Sequence, residues 1–528
     1  MAGENILSID CGTQSLRTIL FDPEGRILQA ERIVYPPYVS PKPGWAEQDP
    51  ELFWQAVVDG CASLHDRSAA DFLKVGGIGV TTQRDNTINL GPDGAVLRPS
   101  VIWLDTRAAH GSYRPNFFMR KIYGGLGVLE KIYKIQGAGP TNWIRENQPE
   151  IWDATWKVSQ VSGFLNYRLT GRVADTPSSL VGHIPFDHKR QDWASPYSLA
   201  GKVFPIEADK LCDIVPSGET IGGLTAGAAR LLGLPAGTPV IGCGSDKSCE
   251  TLGMGCVDSS MASLSFGTTA TVEVTSKKYF EPVRFLPAYS AAIPNTWVPE
   301  IEIFRGFWML SWFRDELGDE ERRVAEKTGC IPEEIMNRLL DLEPPGNRGL
   351  MLQPYWGASL KDIRAKGSII GFGDVHGKGS IYRAIVEGLG YALRDGLETL
   401  EKRGGFYCET VAASGGASRS DRICGITTDI LNRPLVRGET WETSALGAAV
   451  ITAAGMGLYP DIMTAVKGMV RYTECFEPSG ENRGIYDGLY GCYKKIYKRL
   501  KGVYKDIQDV TGYPEKWDGD DRNQGELK

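Results

Sequence analysis

Apolar positions along the chain alternate between short β-rich runs and longer stretches that repeat with a helical period. Asn5-Ile6-Leu7-Ser8-Ile9-Asp10 reads as an apolar strand, followed by Cys11-Gly12-Thr13-Gln14-Ser15 and a second strand, Leu16-Arg17-Thr18-Ile19-Leu20-Phe21-Asp22. A glycine among small polar neighbours between two such runs predicts a hairpin whose turn offers backbone N–H groups and hydroxyls. Ala262-Ser263-Leu264-Ser265-Phe266, Gly267-Thr268-Thr269 and Ala270-Thr271-Val272-Glu273-Val274 repeat the pattern in the other half. Two like hairpins so far apart predict a duplication of large units, not a solenoid of short ones.

Between the hairpins, Asp49-Pro50-Glu51-Leu52-Phe53-Trp54 opens a helix, with Asp49 as N-cap, Pro50 at the first helical position and Glu51 in the first turn. Residues 73–82 form a strand candidate with paired glycines at Gly76 and Gly77. Ile381, Ile385, Leu389, Leu393, Leu397 and Leu400 recur at helical spacing over 380–400. Strands alternating with helices of this length predict α/β layers. In the tail, 486–504, Leu489, Tyr493, Ile496 and Leu500 share one face of a basic helix that reads as a packed closing element. Asp518-Gly519-Asp520-Asp521-Arg522 is polar and expected to fray.

Composition narrows the class. At 528 residues the chain is long enough for two to four domains, at roughly 150 residues each. Hydrophobic residues at 42% and charged residues at 23% exclude wholesale disorder and fibrous repeats. A net charge of −7, with scattered Lys and Arg, lacks the footprint of a nucleic-acid or anionic-membrane partner. No stretch approaches the ~18 apolar residues of a membrane span, and no basic and apolar leader precedes the first strand, so a cytoplasmic chain is expected. Eleven cysteines without a C-x-x-C pair fit reduced thiols. Cys243, Cys249 and Cys256 cluster without zinc-module spacing, and His65, His110, His183, His188 and His376 form no ligand pattern. A histidine-based mechanism is not expected.

The familiar phosphate and nucleophile loops, G-x-x-x-x-G-K-[ST], G-x-G-x-x-G and G-x-S-x-G, do not occur. Phosphates would take another cradle, and the two hairpin turns offer one, since glycine permits close backbone approach and N–H groups point at an anion. Asp10, leaving a strand beside the first turn, is suited to a Mg²⁺ that bridges phosphate oxygens, and Arg17 to neutralising the transferred group. Either turn alone reads more readily as an ordinary Gly-Thr hairpin, since such turns are common. In Val240-Ile241-Gly242-Cys243-Gly244-Ser245-Asp246-Lys247 a buried-type strand delivers Asp246, suited to accept a hydroxyl proton. In Ala413-Ser414-Gly415-Gly416-Ala417-Ser418-Arg419-Ser420-Asp421 paired glycines precede a helix through Ile430, where a flat base or a phosphate can approach; a plain strand-to-helix turn is the alternative.

Taken in this order, the four segments resemble the FGGY family of carbohydrate kinases over nearly the whole chain. Further likenesses are Gly44-Trp45-Ala46-Glu47-Gln48-Asp49-Pro50, Tyr167-Arg168-Leu169-Thr170-Gly171, Tyr382-Arg383-Ala384-Ile385-Val386-Glu387-Gly388 and Ser444-Ala445-Leu446-Gly447-Ala448-Ala449. The resemblance implies an α/β chain of two ribonuclease-H-like domains of the actin and hexokinase superfamily, with ATP and sugar meeting in the cleft. Residues 1–255 would be the sugar-binding N-terminal domain, 256–475 the nucleotide-binding C-terminal domain, and 476–528 a helical tail packed on the second domain. It implies Asp246 as catalytic base and Asp10 as the Mg²⁺ carboxylate. Gly12, Thr13, Gln14, Ser15, Arg17, Gly267, Thr268 and Thr269 would be phosphate contacts, and Gly415, Gly416 and Ala417 the adenine platform.

The substrate region is Val80-Thr81-Thr82-Gln83-Arg84-Asp85-Asn86-Thr87 with Ile102-Trp103-Leu104-Asp105-Thr106-Arg107. Gln83, Arg84, Asp85, Trp103, Asp105 and Lys247 are the candidate contacts. Arg84 and Asp85 bring donors and acceptors for adjacent hydroxyls, and Trp103 an apolar face, a combination suited to a polyol or sugar. An exposed Arg84–Asp85 surface pair is the plainer alternative. The Gln-Arg-acid order looks more like glycerol kinases than xylulose kinases, which usually carry Met-His-Gly after the glutamine. Asp85 is shorter than the usual glutamate, Lys247 stands where glutamine is usual, and Pro140 where a signature has lysine. Phe304-Arg305-Gly306-Phe307-Trp308 replaces small residues expected to line the nucleotide cleft, and Leu360-Lys361-Asp362-Ile363 lacks the usual Glu-Arg-Thr-Pro. The expected activity is an ATP- and Mg²⁺-dependent kinase acting on a hydroxyl, a primary one, of a small sugar or polyol. The alternative is an actin-like ATPase switch without a small-molecule acceptor, against which Arg84, Asp85 and Trp103 argue. No nucleic-acid or membrane partner is expected, and a homodimer is left open.

Overall fold

In the computed structural model, which describes residues 3–356 and 365–512, the strands of each half assemble into one six-stranded mixed sheet. Leu360-Lys361-Asp362-Ile363 and the polar run from Asp518 lie outside the described residues. The first sheet holds β1 (Asn5–Cys11), β2 (Ser15–Phe21), β3 (Ile27–Val34), β4 (Val75–Thr82), β5 (Thr220–Gly223) and β6 (Pro239–Ile241), in spatial order β5-β6-β4-β1-β2-β3. The second holds β7 (Met261–Phe266), β8 (Ala270–Val274), β9 (Glu300–Ile303), β10 (Thr410–Ser414), β11 (Leu435–Gly438) and β12 (Tyr472–Phe476), in order β9-β8-β7-β10-β11-β12. In each, an antiparallel meander is joined through its first strand to two parallel strands, with an antiparallel edge strand beyond. The repeat foreseen from two hairpins therefore extends to whole sheets, and both have the ribonuclease-H-like order.

Helix α1 (Pro50–Arg67) starts as its sequence predicts, the Asp49 carboxylate accepting the Glu51 N–H at 3.0 Å, and it buries Phe53, Trp54, Val57, Cys61 and Leu64. A second helix, α2 (Asp246–Gly253), follows β6. In the second lobe α3 (Lys378–Gly404) carries the predicted apolar stripe and packs on the second sheet and on α4 (Asp421–Leu431), while α5 (Thr443–Gly455) packs across on the first sheet. The closing helix α6 (Arg483–Thr511) lies against α3 and α4. Its seam is more aromatic than the predicted Leu489 and Leu500 face, which is only partly buried. Tyr486, Tyr490 and Tyr493 pack on Tyr391, and the hydroxyls of Tyr486 and Tyr490 donate to Glu387 and Glu398 respectively. Tyrosine suits such a seam because it buries a ring while its tip finds a polar partner.

The lobes share a core. Ile6, Ile19, Phe21, Ile241 and Leu252 pack with Ala445, Ala448, Ala449 and Ile451 of α5. Ser8 Oγ donates to the Ala445 carbonyl at 2.9 Å. This contact explains the glycines of β4, because a Cβ at Gly77 would collide with Met456, just past the end of α5, and one at Gly79 with Thr452 of α5. It likewise explains the crossing of α2 and α5, where a Cβ on Gly253 or Gly447 would run into the opposite backbone. Among the described residues no helix is long and apolar enough to cross a membrane.

Candidate active site

Strands β1, β4 and β6 run parallel and end side by side, Thr82 bridging to Ser245 just past β6. Side chains and helix N-termini converge outside such carboxyl ends. Asp10 emerges there almost buried, with its cross-strand neighbour Arg17 at 3.6 Å, and Arg17 reaches Glu442 beside α5 at 3.2 Å. Burial pushes the Asp10 carboxyl up to about 7; Arg17 opposes this, and Asp246, Glu442 and Glu250 add to it.

Asp246 is the first residue of α2, whose N-cap is Ser245. Its Oδ1 accepts the Lys247 N–H at 2.7 Å and stands 3.9 Å from Arg84 Nε. Burial raises this half-buried carboxyl above its ordinary range, against the pull of Arg84 and Lys247. Lys247, expected at the acceptor, turns the other way: its ammonium lies 2.6 Å from Glu250 and 3.0 Å from Ser265 Oγ of β7. Glu250 also accepts from the Ser414 hydroxyl at the end of β10. One helical turn thus carries Asp246 and ties the first lobe to both inner strands of the second.

The two hairpin turns flank it. In the first, Gly12 N–H bonds Ser15 O at 3.0 Å, and the Thr13 hydroxyl donates to Gln83 at 2.7 Å while accepting Trp103 Nε1–H at 3.1 Å. Gln48 and the Tyr35 hydroxyl hold the Thr13 and Gly12 carbonyls at 2.8 and 2.6 Å. Gln14 is exposed at the tip, whereas the Ser15 hydroxyl accepts from Arg32 of β3 at 3.1 Å and keeps its O–H to donate. In the second turn Thr268 is exposed, and neither the Thr268 nor the Thr269 hydroxyl has a hydrogen-bond partner among the described residues. Phe307 does not line the cleft as its sequence suggested. It is buried beneath this turn, stacked on Phe266 at 4.5 Å, with its N–H on the Gly267 carbonyl at 3.0 Å. Gly415, at φ 84°, passes so close to Phe266 and Gly267 that no side chain fits, while Gly416 faces open space. Ala417 packs against the core beside them. The three expected platform residues therefore adjoin the second turn.

Asp85, Trp103, Asp105, Arg107, Pro140 and His183 line a small recess in the first lobe. Asp105 is engaged by Arg107 Nε and Nη2 at 2.8 and 2.7 Å and by the Ala46 N–H at 2.6 Å, so it braces the wall where a substrate contact was expected. Arg107 is in turn sandwiched by Trp45, 3.9 Å away, and Trp143. Arg84 makes no surface pair with Asp85. It crosses to Glu300 of β9 at 2.9 Å, with Glu302 at 3.7 Å and the Tyr289 ring at 5.5 Å. A second bridge joins the lobes where His188 meets the Tyr289 ring at 5.1 Å and its carbonyl accepts Trp297 Nε1–H at 2.7 Å.

The residues that sequence reasoning missed are His183, 2.7 Å from Asp85, and the buried carboxylates Glu273, Glu300 and Glu302. Burial carries Glu273 up to about 8 and Glu302 to about 7. For Glu300, burial is overcome by Arg84, which lowers it. Acidic residues at alternating positions of apolar strands were the available signal for this group; no spacing linked residues 85 and 183.

Residues 5–253 match the model of the FGGY family of carbohydrate kinases, N-terminal domain, and residues 262–456 that of its C-terminal domain. An Escherichia coli protein described as uncharacterized sugar kinase YgcE is 29% identical, covering 97% of this chain and 96% of its own. A Staphylococcus epidermidis xylulose kinase is 26% identical over 97% of this chain and all of its own. The structure of ligand-bound xylulose kinase from Lactobacillus acidophilus superposes with a TM-score of 0.81 at 22% identity, covering 95% of this chain and 99% of that one.

Proposed function

The chain belongs to the FGGY family of carbohydrate kinases, and on that premise we propose that it transfers the γ-phosphoryl group of ATP, with Mg²⁺, to a primary hydroxyl of a small sugar or polyol. The observation that carries this reading is the first turn of α2. Asp246 stands 3.9 Å from Arg84 on the acceptor lobe, and its neighbour Lys247 reaches Ser265 beside the second turn. A carboxylate there can take the proton of an acceptor alcohol while both turns point N–H groups at a triphosphate. The lift that burial gives Asp246 makes it a better base, since proton transfer is most effective from a group whose pKa approaches the working pH.

On this reading Gln14 and the backbone of Thr13 from the first lobe, with Thr268 and Thr269 from the second, would orient the phosphates, and Gly415, Gly416 and Ala417 would receive the base. Asp10 fits a divalent ion. It is a single, nearly buried carboxylate amid Asp246, Glu442 and Glu250, and a cation would relieve the cost of charging it. Bound Mg²⁺ would supply charge neutralisation at the phosphates, with Asp10 as its protein ligand and phosphate and water oxygens completing the shell. Arg17 adds positive charge on the same side. Trp103, joined through Thr13 to the buried Gln83, whose amide is engaged by Thr13 and Gln48, offers the sugar an apolar face.

The test is ADP release and phosphorylated product across ketoses, pentitols, glycerol and aldonic acids. Acceptor-dependent ADP release with a phosphate monoester is expected for at least one class. ATP hydrolysis that ignores every acceptor and yields no sugar phosphate would overturn the reading in favour of a nucleotide-driven switch.

A further inference from the structure

We propose that His183, clamped by Asp85, selects the acceptor: its Nε2 edge binds an oxygen of the sugar on a carbon other than the one phosphorylated. The inference deepens the kinase reading and rests on it. Three features build the clamp. Asp85 adopts a left-handed backbone, φ 57°, unusual for a residue with a side chain and of a kind that concentrates at functional sites. Gly182, at φ 126°, crosses directly over the Asp85 carboxylate, where any Cβ would strike it. The carboxylate accepts both the backbone N–H of His183, at 2.9 Å, and its Nδ1–H, at 2.7 Å, while the Asp85 N–H bonds the Val181 carbonyl at 3.3 Å.

The consequence is a fixed ring. A carboxylate on Nδ1 sets the tautomer and the orientation of an imidazole and leaves the opposite nitrogen for a ligand. The flank of the ring meets the edge of Phe204 at 5.8 Å, and its side chain keeps 31% exposure in the recess that Trp103 and Pro140 also line. Nε2 has no hydrogen-bond partner among the described residues. Of the charged groups around the recess, Asp105 and Arg107 are joined to each other and Asp85 is engaged by His183. Trp103 Nε1 is held by Thr13. A sugar oxygen seated against the Trp103 face would therefore find in His183 a rigid polar partner. An acceptor without that oxygen would leave Nε2 buried and unpaired, and sites of this kind reject such analogues strongly.

Two substitutions separate recognition from folding. His183→Asn keeps a donor near the Nδ1 position for Asp85 and removes Nε2; His183→Gln places an amide near the Nε2 position. With an acceptor that the wild type phosphorylates, His183→Asn should raise the acceptor KM about 10- to 100-fold, with kcat and the KM for ATP within about threefold. His183→Gln should recover part of the loss. Among acceptors deoxygenated at successive carbons, one should lose affinity with the wild type and lose nothing more with His183→Asn. Unchanged acceptor KM and unchanged discrimination among the deoxy analogues in His183→Asn would overturn the assignment. A wild type that phosphorylates no acceptor would overturn the kinase reading beneath it.

Discussion

Behind the first turn the strand pair next to Cys11–Leu16 is Asp10–Arg17; behind the second, next to Phe266–Ala270, it is Ser265–Thr271. The same register therefore carries opposite charges in one lobe and two hydroxyls in the other. The turns differ in the same sense. Thr13 is locked by Gln83 and Trp103, whereas the hydroxyls of Thr268 and Thr269 are free of protein partners among the described residues. Each half thus carries a glycine-led turn between its first two strands, with four residues between the last paired positions in the first and three in the second, and with different neighbours. The first turn has its side chains preset by protein partners, while the second leaves its hydroxyls available, the difference expected if the proposed acceptor and metal fall to the first lobe and the nucleotide to the second.

This contrast can be broken most severely at Asp10. The unfolded carboxyl titrates near its ordinary 3.8 and the folded one at about 7, so the favourable term is present in full below about pH 4 and is lost as pH rises through about 7. In the absence of Mg²⁺ the thermal midpoint should therefore fall over that window. Asp10→Asn should flatten the fall while removing at least about 100-fold of the activity, the loss of a placed charge stabiliser. Ser265→Ala, at the matching position, takes a hydrogen bond from the Lys247–Glu250 pair but should leave in place the fall over that window, which Asp10 governs.

Gly415→Ala comes next. Its left-handed backbone and the missing space over Phe266 predict a loss of about 1–3 kcal/mol in denaturant unfolding, together with weaker ATP binding. Gly12→Ala, whose Cβ would meet only Ser15 O at 3.4 Å, should cost less than about 1 kcal/mol. A smaller effect separates the threonines. Thr13→Val, which loses the bonds to both Gln83 and Trp103, should raise the acceptor KM, and Thr268→Val the KM for ATP, each by about 3- to 10-fold. Smallest is Trp103→Phe, which keeps a ring face and loses only the bond to Thr13; a rise in acceptor KM of about two- to fivefold is expected.

What the sequence made legible was local. Both hairpins, the Asp49 cap and the long stripe of α3 follow from neighbours within a few residues, and the structure forms them where the pattern puts them. The glycines of β4 were visible as a strand with a gap, but the reason for the gap lies in α5, at the far end of the chain. The plainer alternative for Arg84 and Asp85, a surface pair, rested on their adjoining in sequence. Folding gives each a partner elsewhere, Glu300 and His183, at separations of 216 and 98 residues. No periodicity spans such distances, so charge pairing in the crevice stays hidden until the sheets are assembled. Phe307 misled for the same reason, since a bulky residue beside a motif can equally be the floor under it.

The central claim is that the Asp246 carboxylate takes the acceptor proton between the two turns. The most direct test is single-turnover phosphoryl transfer by Asp246→Asn, with ATP and acceptor binding measured on the same protein. The account predicts that both ligands still bind within a fewfold while transfer slows by about 10²- to 10⁴-fold, the usual contribution of a positioned base. Transfer at the wild-type rate, with both ligands bound, would contradict it.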